Sequence, residues 1–287
     1  MATTDLLRQV DERAQGALAS GGLQPLVTEQ TELADGGLRF LARWVSTLAG
    51  KSALTPGGPR DPNFNPFLPP DPALTVGPLG DAHTAILNKF PISARHLVIA
   101  TNAFREQLEP LDRADFAALA RVMAAAGGLG FHNGGTAAGA SQRHKHLQWI
   151  PRAEGNASLD IWLPGLPAGV APLTTAVHPQ LAVRHCFVRV DAAPRARPEQ
   201  LAESFFTAYT RALALLGLAP GSGGLLPPSN LLIADGWLLL VPRSREHFEG
   251  VSINALAFGG TFYAQEAEKL AALRTAGPLA ALAAVGV

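Results

Sequence analysis

Residues 141–151 read SQRHKHLQWIP, a stretch that sets His144, His146 and Gln148 at alternate positions. Positions two apart point to nearly opposite sides of a helix, whereas on a strand they share one face. The three polar side chains can therefore converge only if the segment is extended. Burying them without partners would be costly. The pattern predicts a strand that carries a functional site, and the side that includes Lys145 is not expected to be an apolar inner face.

A glycine-rich run, FHNGGTAAGAS at 131–141, leads into this strand. Its glycines allow backbone conformations that turn successive N–H groups toward one point. Such a concavity binds anions, and Ser141 and Gln142 can add side-chain donors. A glycine-rich loop alone is weak evidence, but beside paired histidines it favours a phosphate site.

Three roles are open to the two histidines at this stage. They can hold a metal such as zinc, with a third ligand from His132 or His96. They can act as general acid and base. One imidazole can also attack phosphorus to form a covalent phosphoramidate, in which case its other nitrogen must keep its proton and face an acceptor. The alternative without chemistry is a pair of surface histidines on an edge strand.

The composition limits the class of protein. Among 287 residues, 47% are hydrophobic and 16% charged, as in a globular protein. The formal net charge is zero, so we expect no nucleic-acid or membrane partner. The single cysteine, Cys186, excludes a disulfide framework and a zinc site built on paired cysteines. The N-terminus becomes charged too early for a signal peptide, and no apolar run is long enough to span a membrane. We predict a cytoplasmic protein.

Local patterns predict helices as separate blocks and strands that pair as hairpins, which is typical of an α+β fold with largely antiparallel pairing. The order hairpin, helix, strand is loosely echoed later as strand, helix, hairpin. The predicted segments are a helix at 3–19, a strand or short helix at 36–48, an irregular proline-rich loop at 56–78, a hairpin at 83–101, a helix at 111–128, a strand at 182–190, a helix at 199–217, a hairpin turning at 235–236, and a final helix at about 263–283 broken at 277–278.

Three blocks of sequence, at 65–104, 131–151 and 229–260, resemble the diadenosine tetraphosphate phosphorylases, also called ATP adenylyltransferases, of the histidine-triad superfamily. The central block, with HKHLQ after NGGTAAGASQ, is the most specific. The resemblance implies a histidine-triad-like antiparallel sheet with flanking helices and two loosely related halves. It places an N-terminal catalytic region at 1–172 and an adenylyltransferase-like region at 173–287.

The resemblance implies that phosphate splits diadenosine tetraphosphate into ATP and ADP. His146 would be the nucleophile that carries AMP, His144 would orient the site, and Gln148 would bond phosphate oxygens. Related hydrolases carry a third histidine where this chain has Gln148. Because glutamine does not titrate near neutral pH, the intermediate should wait for phosphate, which is already anionic, rather than water.

Further positions match the family's substrate-binding residues one at a time. Ala140 stands where serine is expected, and Arg143 stands where fungal relatives often have an acidic residue. The positions that the resemblance implies as substrate-binding, with Ala140 as the departure, are Lys51, Asn88, Lys89, Asn133, Gly139, Ala140, Ser141, Gln142, Asn230 and Arg243.

The implied ligands are nucleotides and phosphate, with Mg²⁺ or Mn²⁺ accompanying the polyphosphate. We expect a monomer, because one chain with two related halves can supply what small relatives build as a dimer. Three other functions remain open. The chain could be a hexose-1-phosphate uridylyltransferase, although those enzymes typically show His-Pro-His. It could be a metal-dependent hydrolase of dinucleoside polyphosphates, or a nucleotide-binding module without catalysis.

Overall fold

The computed structural model describes residues 3–45, 64–191 and 197–287. Its largest element is a sheet of nine strands in which each pair of neighbours runs antiparallel. Across the sheet the order is β3 (Thr75–Pro78), β4 (His83–Leu87), β5 (Leu97–Thr101), β7 (His146–Ile150), β6 (Leu129–Gly134), β10 (Ser229–Ala234), β11 (Trp237–Pro242), β9 (Cys186–Arg189) and β8 (Thr175–Ala176).

A smaller sheet consists of the hairpin β1 (Thr28–Asp35) and β2 (Leu38–Val45), with β14 (Thr261–Ala264) parallel to β2. A further short hairpin is formed by β12 (His247–Phe248) and β13 (Val251–Ser252). The helices are α1 (Thr3–Ala19), α2 (Arg113–Ala126), α3 (Pro198–Leu215), α4 (Ala255–Phe258), α5 (Leu270–Ala276) and α6 (Pro278–Val285).

The large sheet repeats one pattern twice. Strands β4 and β5, helix α2, and strands β6 and β7 follow one another in the first half. Strands β8 and β9, helix α3, and strands β10 and β11 follow in the second half. The halves meet where β6 pairs with β10 at the centre of the sheet. The predicted α+β fold with two loosely related halves is therefore confirmed, while the boundary at residue 172 stays a prediction.

Two apolar cores cover the two faces of this sheet. Helices α1, α2 and α3 pack on one face, against side chains such as Leu147 and Trp149. The small sheet and helices α4 to α6 lie on the other, with Phe131 and Ile150. Because neighbours along a strand alternate between faces, β7 sends Leu147 and Trp149 to the helices and His146 to the opposite side.

Local sequence explains the elements next to β7. Helix α2 begins at a capping box: the Asp112 carboxylate accepts the Ala114 and Asp115 N–H groups, and Asp115 accepts the Asp112 N–H. The turn between β10 and β11 consists of Asp235 and Gly236, both with positive φ, as a two-residue type I′ turn requires.

The predicted helices at 3–19, 111–128 and 199–217, the strand at 182–190 and both hairpins are confirmed within a few residues. The ambiguous segment 36–48 is a strand where the structure describes it. Two expectations are wrong in part. Of the predicted proline-rich loop, residues 56–63 lie outside the described residues, and its end forms strand β3. The final helix starts only at Leu270, because 261–264 joins the small sheet.

The expectation about the second face of the histidine strand is also wrong. Lys145, Leu147 and Trp149 are fully buried against the helices. Lysine is tolerated there because its ammonium group lies 2.6 Å from the Asp115 carboxylate and donates to Pro110 O. Trp149 packs in this core, and its indole N–H donates to Gly127 O. Among the described helices, none is long and apolar enough to cross a membrane.

Candidate active site

His146 is the first residue of β7, and its imidazole has a defined tautomer. The Nδ1 atom lies 2.8 Å from the carbonyl oxygen of His144, which can only accept, so Nδ1 carries the proton. The lone pair of the neutral ring is therefore on Nε2, which has no hydrogen-bond partner among the described residues. This arrangement meets the requirement set for a nucleophilic imidazole.

His144 lies just before the strand, and both of its ring nitrogens are occupied. Nε2–H donates to Thr101 O at 2.8 Å, and Nδ1 accepts from the Asn65 side-chain amide at 2.9 Å. The Asn65 amide is itself oriented, because its oxygen accepts the Phe67 N–H. His144 is thus placed to orient the site through its carbonyl, and a metal bound by the histidine pair would have to displace these bonds.

Gln148 is oriented by a chain of hydrogen bonds that ends at its amide oxygen. The Phe90 N–H donates to Asn88 Oδ1, and Asn88 Nδ2 lies 3.3 Å from His96 Nδ1. His96 Nε2 lies 2.9 Å from Gln148 Oε1 and must donate to it. The amide nitrogen of Gln148 is left as a donor for an anionic ligand. His96, named from sequence only as a possible metal ligand, therefore touches a predicted catalytic residue.

Burial keeps the three histidines neutral. It lowers the pKa of His146 to about 4, and the bond to His144 O only partly offsets it. Burial likewise lowers the pKa of His96 to about 4 and also lowers the pKa of His144. At neutral pH the Nε2 lone pair of His146 is therefore available.

Phe67 covers the two histidines that are predicted to be catalytic. Its ring centroid lies 5.0 Å from that of His146 and 5.8 Å from that of His144. Phe104, half exposed, makes a further edge contact with His144. The histidines therefore face an apolar wall, which is suited to excluding water from a reacting phosphorus.

The glycine-rich loop forms a tight turn before β7. Gly139 has a φ of 85°, and a Cβ atom there would lie 2.7 Å from Asn254 Cβ, so only glycine fits. The N–H groups of Gly139 and Ala140 bond to carbonyls inside the turn. The N–H groups of Ser141 and Gln142 make no hydrogen bond among the described residues, so they are the loop donors available to an anion.

Three other predicted residues form a buried network behind the loop. Arg243 donates to Asn230 Oδ1, and Asn230 Nδ2 donates to Asn133 Oδ1 and Ala138 O. Asn133 Oδ1 also accepts the Ala255 N–H. Asn230 is fully buried and Arg243 nearly so. Their geometry fits a support for the loop, and direct substrate contact by these residues stays a prediction.

The remaining predicted positions lie apart from this centre or outside the described residues. Lys89 follows Asn88 at the end of β4 and is exposed, with its ammonium 5.8 Å from the centroid of Phe90. Lys51 lies outside the described residues.

Three residues that bond the histidines were not identified as site residues from sequence. Asn65 and Thr101 bond the ring nitrogens of His144, and Gln107 bonds both backbone groups of His146. Asn65 lies in the NPF stretch of a block that resembles the family, which is a signal that could have found it. Gln107 lies in a loop between β5 and α2, and nothing in its spacing marks it.

Comparison with known proteins gives the family. Residues 1–164 match the family described as Ap4A phosphorylase N-terminal domain, and residues 179–287 match the ATP adenylyltransferase C-terminal domain. The chain belongs to the Ap4A phosphorylase family, where Ap4A denotes diadenosine tetraphosphate.

Two relatives come from Saccharomyces cerevisiae. Protein APA1 is 25% identical over 283 residues, which cover 90% of this chain and 85% of the relative. Diadenosine 5',5'''-P1,P4-tetraphosphate phosphorylase 2 is 25% identical over 300 residues, covering 94% and 90%. The crystal structure of yeast Ap4A phosphorylase Apa2 in complex with Ap4A has the same fold, with a TM-score of 0.76 at 23% identity over 100% of this chain and 98% of that chain. The complex of the same yeast enzyme with AMP also has a TM-score of 0.76, at 22% identity over 98% and 97%.

Proposed function

We propose that this protein is an Ap4A phosphorylase, which converts Ap4A and phosphate into ATP and ADP through an adenylyl group on His146. The observation that carries the proposal is the bond from His146 Nδ1–H to His144 O, which leaves the Nε2 lone pair as the nucleophile. The reaction named for the yeast relative supports this choice of substrate.

In the first step, Nε2 of His146 attacks the α-phosphorus of one adenosine half. The new N–P bond replaces the bond from phosphorus to the bridging oxygen, and ATP leaves with that bonding electron pair. The ring becomes cationic as the N–P bond forms, and the His144 carbonyl that accepts Nδ1–H stabilises this charge. The amide nitrogen of Gln148 donates to the phosphoryl oxygens.

In the second step, an oxygen of phosphate attacks the same phosphorus, the N–P bond breaks, and ADP leaves. Water would have to lose a proton during its attack, and Gln148 cannot take that proton because an amide does not titrate near neutral pH. The phosphate dianion is already an anionic nucleophile. The Gln148 amide, held by His96, thus favours phosphorolysis over hydrolysis.

A divalent cation, Mg²⁺ or Mn²⁺, is proposed to enter with the polyphosphate. Hard cations that bridge phosphate oxygens need few protein ligands. The side chains that bond to or pack on His96, His144 and His146 are amides, a hydroxyl and aromatic rings. Such surroundings suit a cation that the phosphate oxygens already hold. We also propose that the chain acts as a monomer, since both halves already share one sheet.

The proposal is tested by separating the nucleotides formed from Ap4A and Mg²⁺ with and without phosphate. We expect ATP and ADP in equal amounts, and only when phosphate is present. Formation of ATP and AMP without phosphate would show that water reaches the intermediate and that the argument from Gln148 is wrong. The absence of any turnover would favour a uridylyltransferase or a binding module.

The acid limb of the rate profile should lie at unusually low pH. Since burial lowers the pKa of His146 to about 4, its ring keeps the lone pair through the weakly acidic range and loses it as the pH falls through 4. We expect kcat/KM for Ap4A to change little between pH 8 and about 5.5, well below the ordinary histidine pKa of about 6.5. Rates measured across this range, with circular dichroism as the control for folding, check this. An acid limb centred near 6.5 would contradict it.

A further inference from the structure

The ladder between β6 and β7 stops where the catalytic residues begin. Phe131 pairs with Gln148, and the same register would continue with His132 opposite Leu147 and then Asn133 opposite His146. Neither of these pairs forms. The strands separate here toward the glycine-rich loop, so the backbone groups of His146 need partners from elsewhere.

The side chain of Gln107 supplies those partners. Its Oε1 accepts the His146 N–H at 2.8 Å, and its Nε2 donates to His146 O at 3.0 Å and to Asn133 O at 2.9 Å. Gln107 is 3% exposed. One primary amide thus takes the place of a peptide group in the ladder and bonds both strands.

The backbone of Gln107 is fixed in turn by the segment that precedes the histidines. The Gln107 N–H donates to Arg143 O at 2.7 Å, and the Lys145 N–H donates to Arg105 O at 2.8 Å. Residues 105–107 therefore run beside 143–145 as an added edge. Because its backbone is held in this way, Gln107 cannot shift together with a displaced His146.

We propose that Gln107 is a positioning residue for the nucleophile: its amide holds the backbone of His146 so that Nε2 is aimed at the α-phosphorus. Among the described residues, three hydrogen bonds fix His146. Gln107 forms two of them, one with the backbone N–H of His146 and one with its backbone carbonyl. The third runs from His146 Nδ1–H to His144 O. A displacement of about 1 Å in a reacting group can cost on the order of 10²-fold in rate. This proposal rests on the proposed function.

The test is a single-turnover experiment with adenine-labelled Ap4A and Mg²⁺ without phosphate, quenched in alkali. It gives the amount of adenylyl-enzyme per chain and the rate constant of its formation. For Gln107→Met, similar in size but without an amide, we expect a wild-type amount of adenylyl-enzyme formed on the order of 10²-fold more slowly. The dissociation constant for AMP should change no more than a few-fold.

A matched control is Asn156→Leu, since the Asn156 amide also donates two bonds, to Ser93 Oγ and Pro151 O, beyond the opposite end of β7. It should leave the rate constant unchanged. Should Gln107→Met not fold, Gln107→Glu retains an acceptor for the His146 N–H. In its ionised form it no longer donates to His146 O and Asn133 O, so slower formation is again expected at alkaline pH.

The outcomes separate the two proposals. A lower amount of adenylyl-enzyme formed at the wild-type rate constant would mean that Gln107 only stabilises the fold, and would overturn the positioning role while leaving the proposed function intact. No adenylyl-enzyme on the wild-type protein would overturn the proposed function and this role with it.

Discussion

Replacement of His146 by alanine is expected to abolish the adenylyl-enzyme and to lower turnover of Ap4A by about 10⁴- to 10⁶-fold. The variant lacks the His146 ring, whose Nε2 lone pair is left free on the site face of β7 because the His144 carbonyl fixes the tautomer. Nothing else in the described site replaces it: both nitrogens of His144 are bonded to protein groups, and the free edge of Gln148 is a donor.

The measurement is the labelled adenylyl group that remains with the denatured chain, together with steady-state turnover in phosphate. His178→Ala is the matched control, because His178 is also a buried histidine but lies against Trp162 and His185, away from β7. It should label fully. If His146→Ala still carried the label, the nucleophile would have to be sought elsewhere.

The features that depend on a local sequence pattern could be predicted from the sequence. The alternation of His144, His146 and Gln148 predicts a strand with these residues on one face, and the structure has His146 and Gln148 at alternate positions of β7 with His144 just before it. The turn at Asp235 and Gly236 is local in the same sense. Each inference needs only the neighbouring residues and the period of a strand.

The sequence could not predict hydrogen-bond partners that come from distant positions in the chain. Gln107 lies 39 residues before His146, and His96 lies 52 residues before Gln148. Their roles depend on how the loop before α2 and the residue that precedes β5 come to lie against β7. A side-chain amide that replaces a peptide group in a ladder has no period and no spacing rule, so only the folded chain reveals it.

Lys145 shows that the same limit applies to the core. A lysine between two histidines that are predicted to be catalytic suggests a polar face, yet this lysine side chain is fully buried. The partner that permits this is Asp115 on α2, whose other oxygen lies 2.8 Å from His83 Nε2. Burial of a charge is decided by its partner rather than by its neighbours in sequence.

Replacement of Lys145 by methionine is therefore expected to lower the free energy of unfolding by about 3–5 kcal/mol, the range for removing one partner of a buried ion pair. Methionine fills the volume, so the loss reports the orphaned Asp115 carboxylate rather than a cavity. Urea denaturation at neutral pH measures it. Arg39→Met, which removes the exposed pair with Glu32, is the control and should cost less than about 1 kcal/mol.

The pH dependence of this loss tests its cause. Burial alone would raise the pKa of Asp115, but the bonds to His83 and Lys145 outweigh it and lower the pKa from 3.8 to about 2. The folded pKa lies below the unfolded one, so in the wild-type protein this stabilisation is present above pH 3.8 and is lost as the pH falls toward 2.

In Lys145→Met the ammonium is gone, and burial should raise the pKa of Asp115 above that of the unfolded chain. The folded variant then takes up a proton before the unfolded one does, so its deficit relative to the wild type should shrink as the pH is lowered from 7 toward 4.5. A deficit that stayed constant over this range would mean that lost packing, and not the unpaired carboxylate, explains the instability. Adding Asp115→Asn removes that carboxylate and should recover part of the loss at neutral pH, because the two substitutions act on one pair.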